Sequence, residues 1–310
     1  MRHIHSPAAQ IKIPAIYMRG GTSKGVFFRR QDLPAEARQP GPVRDAILLR
    51  TLGSPDPYGK QIDGMGNASS STSKAVILSA SSRPDHDVDY LFGQVSIDQP
   101  LVDWSGNCGN LSAAVGPCAI HMIPAQRLPH TGVATIRIWQ ANIGRTIVAH
   151  VPMQNGQVQE LGDFELDGVS FPAAEIALEF VDPADDGNGA AMFPTGHLVD
   201  TLEVPGVGTF SATCINAGIP TIFLNAADLG STGCERQSDI NEDPAALARL
   251  ERIRACAALK MGLIRSLDDA AARQHTPKLA WVGPPRSYTA SSGRRMEAAH
   301  IDLVVRALSM

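Results

Sequence analysis

Two side chains stand where their neighbours would make them reactive. Cys108 sits in Asn107-Cys108-Gly109-Asn110, just ahead of a small-residue segment, residues 111–120, that reads as a tightly surrounded helix. A thiol at a helix N-terminus faces the positive end of the helix and its unsatisfied N–H groups, which favours the thiolate. Gly109 would let a ligand approach the backbone closely. The plain alternative is a small buried hydrophobe, the common state of a free cysteine. Lys74 follows Ser70-Ser71-Thr72-Ser73 and precedes the apolar Ala75-Val76-Ile77-Leu78. A lysine drawn against a buried strand loses hydration, which lowers its pKa toward the range of a general base. Its plain alternative is an edge lysine that snorkels to water. A third candidate is the turn Arg19-Gly20-Gly21-Thr22-Ser23-Lys24-Gly25. Exposed backbone N–H groups, hydroxyls and a lysine make a nest that suits a carboxylate or phosphate, and the alternative is an ordinary turn. A base, an acid and an anion loop together point to moving a proton on a carbon acid, with the enolate stabilised by aimed donors.

Competing chemistries lack their motifs. The P-loop pattern is absent, and Gly64-x-Gly66 lacks the third glycine of a dinucleotide fingerprint. The five cysteines (Cys108, Cys118, Cys214, Cys234 and Cys256) form no C-x-x-C pair, and the nine histidines show no ligand spacing. No redox, metal or nucleotide motif therefore competes with that chemistry. A formal charge of −4 argues against a generally basic nucleic-acid binder. Residues 1–14 contain no secretory apolar region, and no run of about 18 apolar residues exists to span a membrane. Free thiols in a reducing cytoplasm are the expectation.

The elements that must hold these residues are legible in outline. The 310 residues, 44% hydrophobic and 19% charged, suit a globular chain of two domains. The 28 glycines and 22 prolines imply many turns, hence many strands. Strand patterns are expected at residues 11–30 around the Gly-rich turn, then at 75–78, 88–97, 133–139, 145–153, 198–204, 208–215 and 221–224, with residues 278–282 and 299–305 strand or helix. Helices are expected at residues 43–52, at 111–120 with Pro117 kinking or ending it, at 244–261 capped by Asp243, and at 266–274. The polar, Gly- and Asp-rich residues 182–190 read as a linker. Strands and helices do not alternate regularly, which argues against a Rossmann or barrel layout.

Several long motifs carry a family resemblance. Met18-Arg19-Gly20-Gly21-Thr22-Ser23-Lys24-Gly25-Val26-Phe27-Phe28, the stretch at residues 53–66, Ser71-Thr72-Ser73-Lys74, Asn107-Cys108-Gly109-Asn110, residues 133–142, residues 215–221 and Gln274-His275-Thr276-Pro277-Lys278 resemble the PrpF family over nearly the whole chain. The resemblance implies an α+β fold of two diaminopimelate-epimerase-like domains, residues 1–185 carrying Lys74 and Cys108, and residues 186–310. Each would be a curved, mostly antiparallel sheet wrapped around a central helix, with the substrate in the cleft between them. It further implies a cofactor-independent isomerase of an unsaturated tricarboxylate, 2-methylaconitate, in propionate breakdown by the methylcitrate cycle. The isomerisation would be a cis–trans change or an allylic double-bond shift. Lys74 and Cys108 would be the acid–base pair. Arg19, Gly20, Gly21, Thr22, Ser23, Ser70, Ser71, Thr72, Ser73, Asn107, Gly109, Asn110, Lys278 and Ser309 would contact the substrate. The implied partners are the small molecule and a functional link to a methylcitrate dehydratase, with no nucleic acid or membrane and with room for a homo-oligomer.

The chain departs from the family pattern at Asn67, where relatives carry glycine, and at Pro117-Cys118 inside the central helix. Family members also continue beyond Met310, so the second domain is expected to be truncated, its apolar core exposed or poorly filled unless another chain covers it. Three alternatives follow: a non-catalytic tricarboxylate-binding protein, a 4-oxalomesaconate tautomerase-like isomerase, or an epimerase pairing Cys108 with Cys214.

Overall fold

The computed structural model describes residues 10–184 and 192–308. Ser309 and part of the linker lie outside the described residues.

Strands β1 (Ala15–Gly20) and β2 (Ser23–Arg29) form a hairpin closed by Gly21-Thr22 alone, because Gly20 pairs directly with Ser23. The wide turn expected at residues 19–25 is thus a tight one, and Ser23, Lys24 and Gly25 belong to a strand. Helix α1 (Pro42–Leu52) begins on Pro42 and stops where Gly53 turns left-handed at φ 77°. Strand β3 (Lys74–Ala80) starts on Lys74 itself and runs parallel to β2 and antiparallel to β4 (Val88–Val95), which also pairs with the short β5 (Val102–Asp103). After helix α2 (Gly109–Ala119) come β6 (Gly132–Gln140), parallel to β4, and β7 (Arg145–Gln154), its hairpin partner. Strands β8 (Gln157–Val158) and β9 (Ala177–Phe180) complete a nine-stranded mixed sheet.

Helix α2 touches β1 and β2 at one end of the strand order and β6, β7 and β9 at the other, so the sheet curls around it. Its small residues permit this. A Cβ on Gly116 would stand 2.7 Å from Val151 Cγ2, and one on Gly20 would stand 2.7 Å from the Asn110 carbonyl. Pro117 does not break the helix, which runs on to Ala119 and then tightens into a single 3-10 turn (Ile120–Met122). On the other face of the sheet, Leu48 and Leu52 of α1 pack against Val26, Phe28, Ala75 and Ile77. Phe27 and Val76 point the opposite way, toward α2, as alternation along a strand requires.

A second, five-stranded sheet contains β10 (Asp200–Val204), β11 (Gly208–Ala217) and β12 (Ile219–Asn225), then, beyond the short α3 (Gln237–Asn241) and α4 (Pro244–Lys260), β13 (Lys278–Gly283). A small hairpin, β14 (Tyr288–Thr289) with β15 (Arg295–Met296), precedes the last strand, β16 (Val304–Leu308). Within this sheet, among the described residues, only β12 and β13 pair in parallel. Asp243 caps α4, its carboxylate accepting the Ala246 N–H at 2.9 Å. Leu250, Ile253 and Ala257 then pack on Leu202, Val204, Ile222 and Trp281. The expectation of a poorly filled second core is not confirmed by this packing. The helix expected at residues 266–274 is a 3-10 stretch, Leu267–Ala272, and the ambiguous residues 299–305 divide between a 3-10 turn and β16.

Candidate active site

Lys74 heads β3 with its side chain turned inward, 3% exposed, so it is not a snorkelling edge residue. Nζ donates to Gln94 Oε1 at 2.6 Å and lies 5.2 Å from the centre of the Phe92 ring. Gln94 is fixed in that role: its amide nitrogen donates to the Ser70 and Ser73 carbonyls, leaving only the oxygen to face the lysine. Burial pulls the Lys74 pKa down, and the neighbouring Cys108, close enough to interact with the amine, pushes it partly back. Desolvation thus makes the neutral amine less costly, and the acceptor of the Nζ hydrogen bond is a neutral amide rather than a carboxylate.

Cys108 is the N-cap of α2, its sulfur accepting the Leu111 N–H at 3.4 Å and lying 3.7 Å from Ser23 Oγ. The helix start thus presents a thiol rather than the usual oxygen cap. Ser112 steadies this corner by donating to the Cys108 carbonyl at 2.9 Å and standing 3.4 Å from Asn107 Oδ1. The other cysteines do not share this setting. Burial pushes Cys118 up to about 12 and Cys214 to about 11. Cys214 lies in the core of the second sheet and feels Asp200 and Lys260, so it does not face Cys108.

Lys278 arrives from the first residue of β13. Burial and the charge of Lys74 draw its pKa down to about 8, while Cys108 and Asp103 oppose the shift. Two lysines and a thiol therefore share one low-dielectric corner, assembled from β3, the start of α2 and the second half of the chain. Three bonds close the seam: His275 N–H to Asp103 Oδ2 at 2.7 Å, His275 Nε2 to the Asn107 carbonyl at 3.0 Å, and Ser105 Oγ with Thr276 Oγ1 at 3.0 Å.

Eight of the expected contacts line two hollows, neither of which is lined by Lys74 or Cys108. Ser70, Ser71 and Lys278 line a cleft of about 610 Å³ between the halves, with Arg254 and Arg306. Arg19, Gly20, Gly21, Gly109 and Asn110 line a separate groove of about 430 Å³ whose far wall is apolar, including Phe164 and Phe171. The glycines of the turn serve packing here: a Cβ on Gly21 would strike the Asn110 side chain at 2.8 Å, and one on Gly25 the Lys74 carbonyl at 2.8 Å. Thr22 Oγ1 accepts from Asn110 Nδ2 at 2.9 Å, tying the turn to the helix start. Ser73 is buried and holds Gln61, and Thr72 bonds Ser69. Gln94 and Phe92 escaped the sequence reading, and His275 entered it only as part of the motif at residues 274–278, without a role. The one signal for Gln94 was a polar residue inside an apolar strand, and for His275 its place three residues before Lys278. Among the described residues, no three His, Cys, Asp or Glu side chains cluster as metal ligands, and no helix is long and apolar enough to cross a membrane.

Residues 10–310 match the family model described as PrpF protein. The chain belongs to the PrpF family. Among PrpF-related proteins it is 70% identical over 305 residues to the 2-methyl-aconitate isomerase of Shewanella oneidensis, covering 97% of this chain and 77% of that protein. It is 69% identical over 305 residues, with the same coverage, to the 2-methyl-aconitate isomerase of Cupriavidus necator. The crystal structure of a methylitaconate-delta-isomerase shares the fold at a TM-score of 0.69 and 36% identity, covering 98% of this chain and 76% of that one.

Proposed function

We propose that this protein is an isomerase of 2-methylaconitate that works by proton transfer without a cofactor. The observation that carries the reading is the buried Lys74 amine beside the Cys108 thiol, with a neutral acceptor, Gln94, in place of a carboxylate. The substrate follows from the names of the relatives at 70% and 69% identity.

Neutral Lys74 takes a proton from an sp³ carbon conjugated through the double bond to a carboxylate. The C–H electron pair moves into the π system and leaves a dienolate. Lys278 and the positive N-terminal end of α2 would hold the negative charge. The Cys108 S–H then delivers a proton to the other allylic carbon, and the Lys74 ammonium returns one to the thiolate, restoring both groups. For a cis–trans change, Lys74 gives the proton back to the first carbon after the bond has rotated. In either route Ser70, Ser71 and Lys278 hold carboxylates in the interhalf cleft. Thr22, Ser23, Asn107, Gly109 and Asn110 shape the helix start. The division into epimerase-like domains at residues 1–185 and 186–310 is part of the same reading, as is a cytoplasmic place in propionate breakdown beside a methylcitrate dehydratase.

The test is deuterium incorporation into 2-methylaconitate in heavy water, followed by NMR, for the wild type, Lys74→Ala and Cys108→Ser. Loss of a general acid or base costs about 10²- to 10⁴-fold. Both variants exchanging and isomerising at the wild-type rate would refute the assignment, and the carbon that exchanges separates a bond shift from a cis–trans change. Binding of trans-aconitate by calorimetry with no turnover of 2-methylaconitate would favour a carboxylate-binding protein instead.

A further inference from the structure

His275 takes no part in the proton transfers above, yet its surroundings are shaped to hold it. Its ring is buried, with Nε2 at 3.0 Å from the Asn107 carbonyl and Nδ1 at 3.3 Å from Lys278 Nζ. A carbonyl oxygen only accepts, so Nε2 carries the hydrogen. Nδ1 is then a lone pair, the kind of atom that can receive a lysine N–H. The bond to Asn107 therefore sets the tautomer that Lys278 needs.

Independent features hold the ring in place. The His275 main-chain N–H is bound by Asp103, and the next residue, Thr276, meets Ser105. One side of the imidazole lies against Phe92, with ring centres 5.3 Å apart, and Phe92 is the same ring that Lys74 approaches. Gly106 leaves room for it: a Cβ there would lie 2.4 Å from His275 Cδ2 and 2.8 Å from Thr276 Cγ2. Gly106 is not among the glycines with positive φ, so the backbone there does not require glycine and the imidazole does.

We propose that His275 is a positioning residue for the reaction, an imidazole that ties Lys278 to the residue preceding Cys108, so that the carboxylate-binding cation and the amine–thiol pair keep one geometry across the two halves. The proposal rests on the role given to Lys278 in the isomerisation above. The ring stays neutral throughout the working range, because burial and the nearby Lys278 charge depress its pKa to about 3. Lys278 is faced by Lys74 from β3, Cys108 from the α2 cap, Asp103 from β5 and Arg254 from α4, besides His275 itself. A hydrogen bond accepted from the ammonium favours the charged form of Lys278.

Two substitutions separate the two bonds of the ring. His275→Gln puts an amide nitrogen near the Nε2 position, keeping a donor for Asn107 and removing the acceptor for Lys278. His275→Asn puts a carbonyl near the Nδ1 position and does the reverse. Lys278 is titrated by NMR in protein labelled with ¹³Cε-lysine, its signal assigned with Lys278→Arg. In His275→Gln the Lys278 midpoint is expected to fall by about one unit, with KM for 2-methylaconitate rising about tenfold and kcat changing less. His275→Asn is expected to restore the midpoint. Identical Lys278 titration in wild type and His275→Gln would overturn the proposal. So would losses of activity that follow melting temperature equally in both variants. The titration needs no substrate. A shifted midpoint in an enzyme that leaves 2-methylaconitate untouched would support the tie and remove the proposed substrate.

Discussion

Replacing Gln94 by glutamate exchanges one side-chain nitrogen for an oxygen and puts a carboxylate where an amide oxygen now sits, 2.6 Å from Lys74 Nζ. With charge centres about 4 Å apart and an effective dielectric of about 20, the attraction is about 4 kcal/mol, or about 3 pKa units on the lysine. Two carbonyls oppose it. Ser70 and Ser73 now accept from Gln94 Nε2 at 3.2 and 3.0 Å, and they would face a second oxygen instead. That repulsion and burial favour a protonated glutamate, so the shift expected on Lys74 is about one to three units. At any pH below the Lys74 midpoint the neutral amine then becomes about ten- to a thousandfold scarcer, and kcat/KM should fall by the same factor. The assay is the initial rate of 2-methylaconitate isomerisation by ¹H NMR across the acid limb of the pH profile. The limb should move to higher pH, so the variant recovers activity as the buffer is made more alkaline. An unmoved limb, in a variant that melts with the wild type, would refute the view that Lys74 acts as a neutral base kept so by an uncharged neighbour.

Lys278 has its pKa lowered from 10.5 to about 8. Between those values the unfolded chain binds more protons than the folded one, so Lys278 contributes stability that rises with pH from about 8 to about 10.5, and its penalty is fully present below about 8. Lys278→Met should therefore melt higher than wild type at neutral pH while KM for the tricarboxylate rises, and a lower melting temperature would contradict this. For His275, lowered from 6.5 to about 3, stability is lost as pH falls through that interval, and His275→Gln should flatten that part of a urea-midpoint curve against pH. Gly116→Ala would place a methyl 2.7 Å from Val151 Cγ2 and 3.1 Å from Ala149 Cβ, so urea unfolding should show a loss of about 1–3 kcal/mol; a neutral result would mean α2 can move away from β7.

Local placement was readable in the sequence where local order determines it. Cys108 announced itself through the small residues that follow, because a helix gripped by a curled sheet must be narrow. Lys74 stood at the junction of a hydroxyl run and an apolar run, and that junction is where β3 begins. Helix α4 carried its own cap, Asp243, and its own first-position proline. What the sequence withheld depends on pairing at a distance. Gln94 reaches Lys74 only through the antiparallel register of β3 with β4, in which the two residues are direct partners. His275 reaches Asn107 only when the two halves dock. The turn at Gly21-Thr22 was legible as a turn, but a glycine that yields to a helix, as Gly20 and Gly21 do, carries the same letter as one that yields to a ligand. Residues 266–274 show the ordinary limit of capping signals: Ser266 and Asp269 do cap a turn, yet the stretch that follows, Leu267–Ala272, stays 3-10.

The seam also orders events in time. Its hydrogen bonds join residues 168 to 172 positions apart, whereas Lys74 and Cys108 are separated by 34. Contacts so distant along the chain close slowly compared with local ones. As the polypeptide emerges from synthesis, the amine and thiol can be housed by the first sheet before Lys278 exists as a neighbour. On the proposed assignment, the amine–thiol pair would be housed first and would lack its carboxylate-holding Lys278 until β13 arrives. On that assignment, isomerisation would require the two halves to have docked, not merely the first half to have folded.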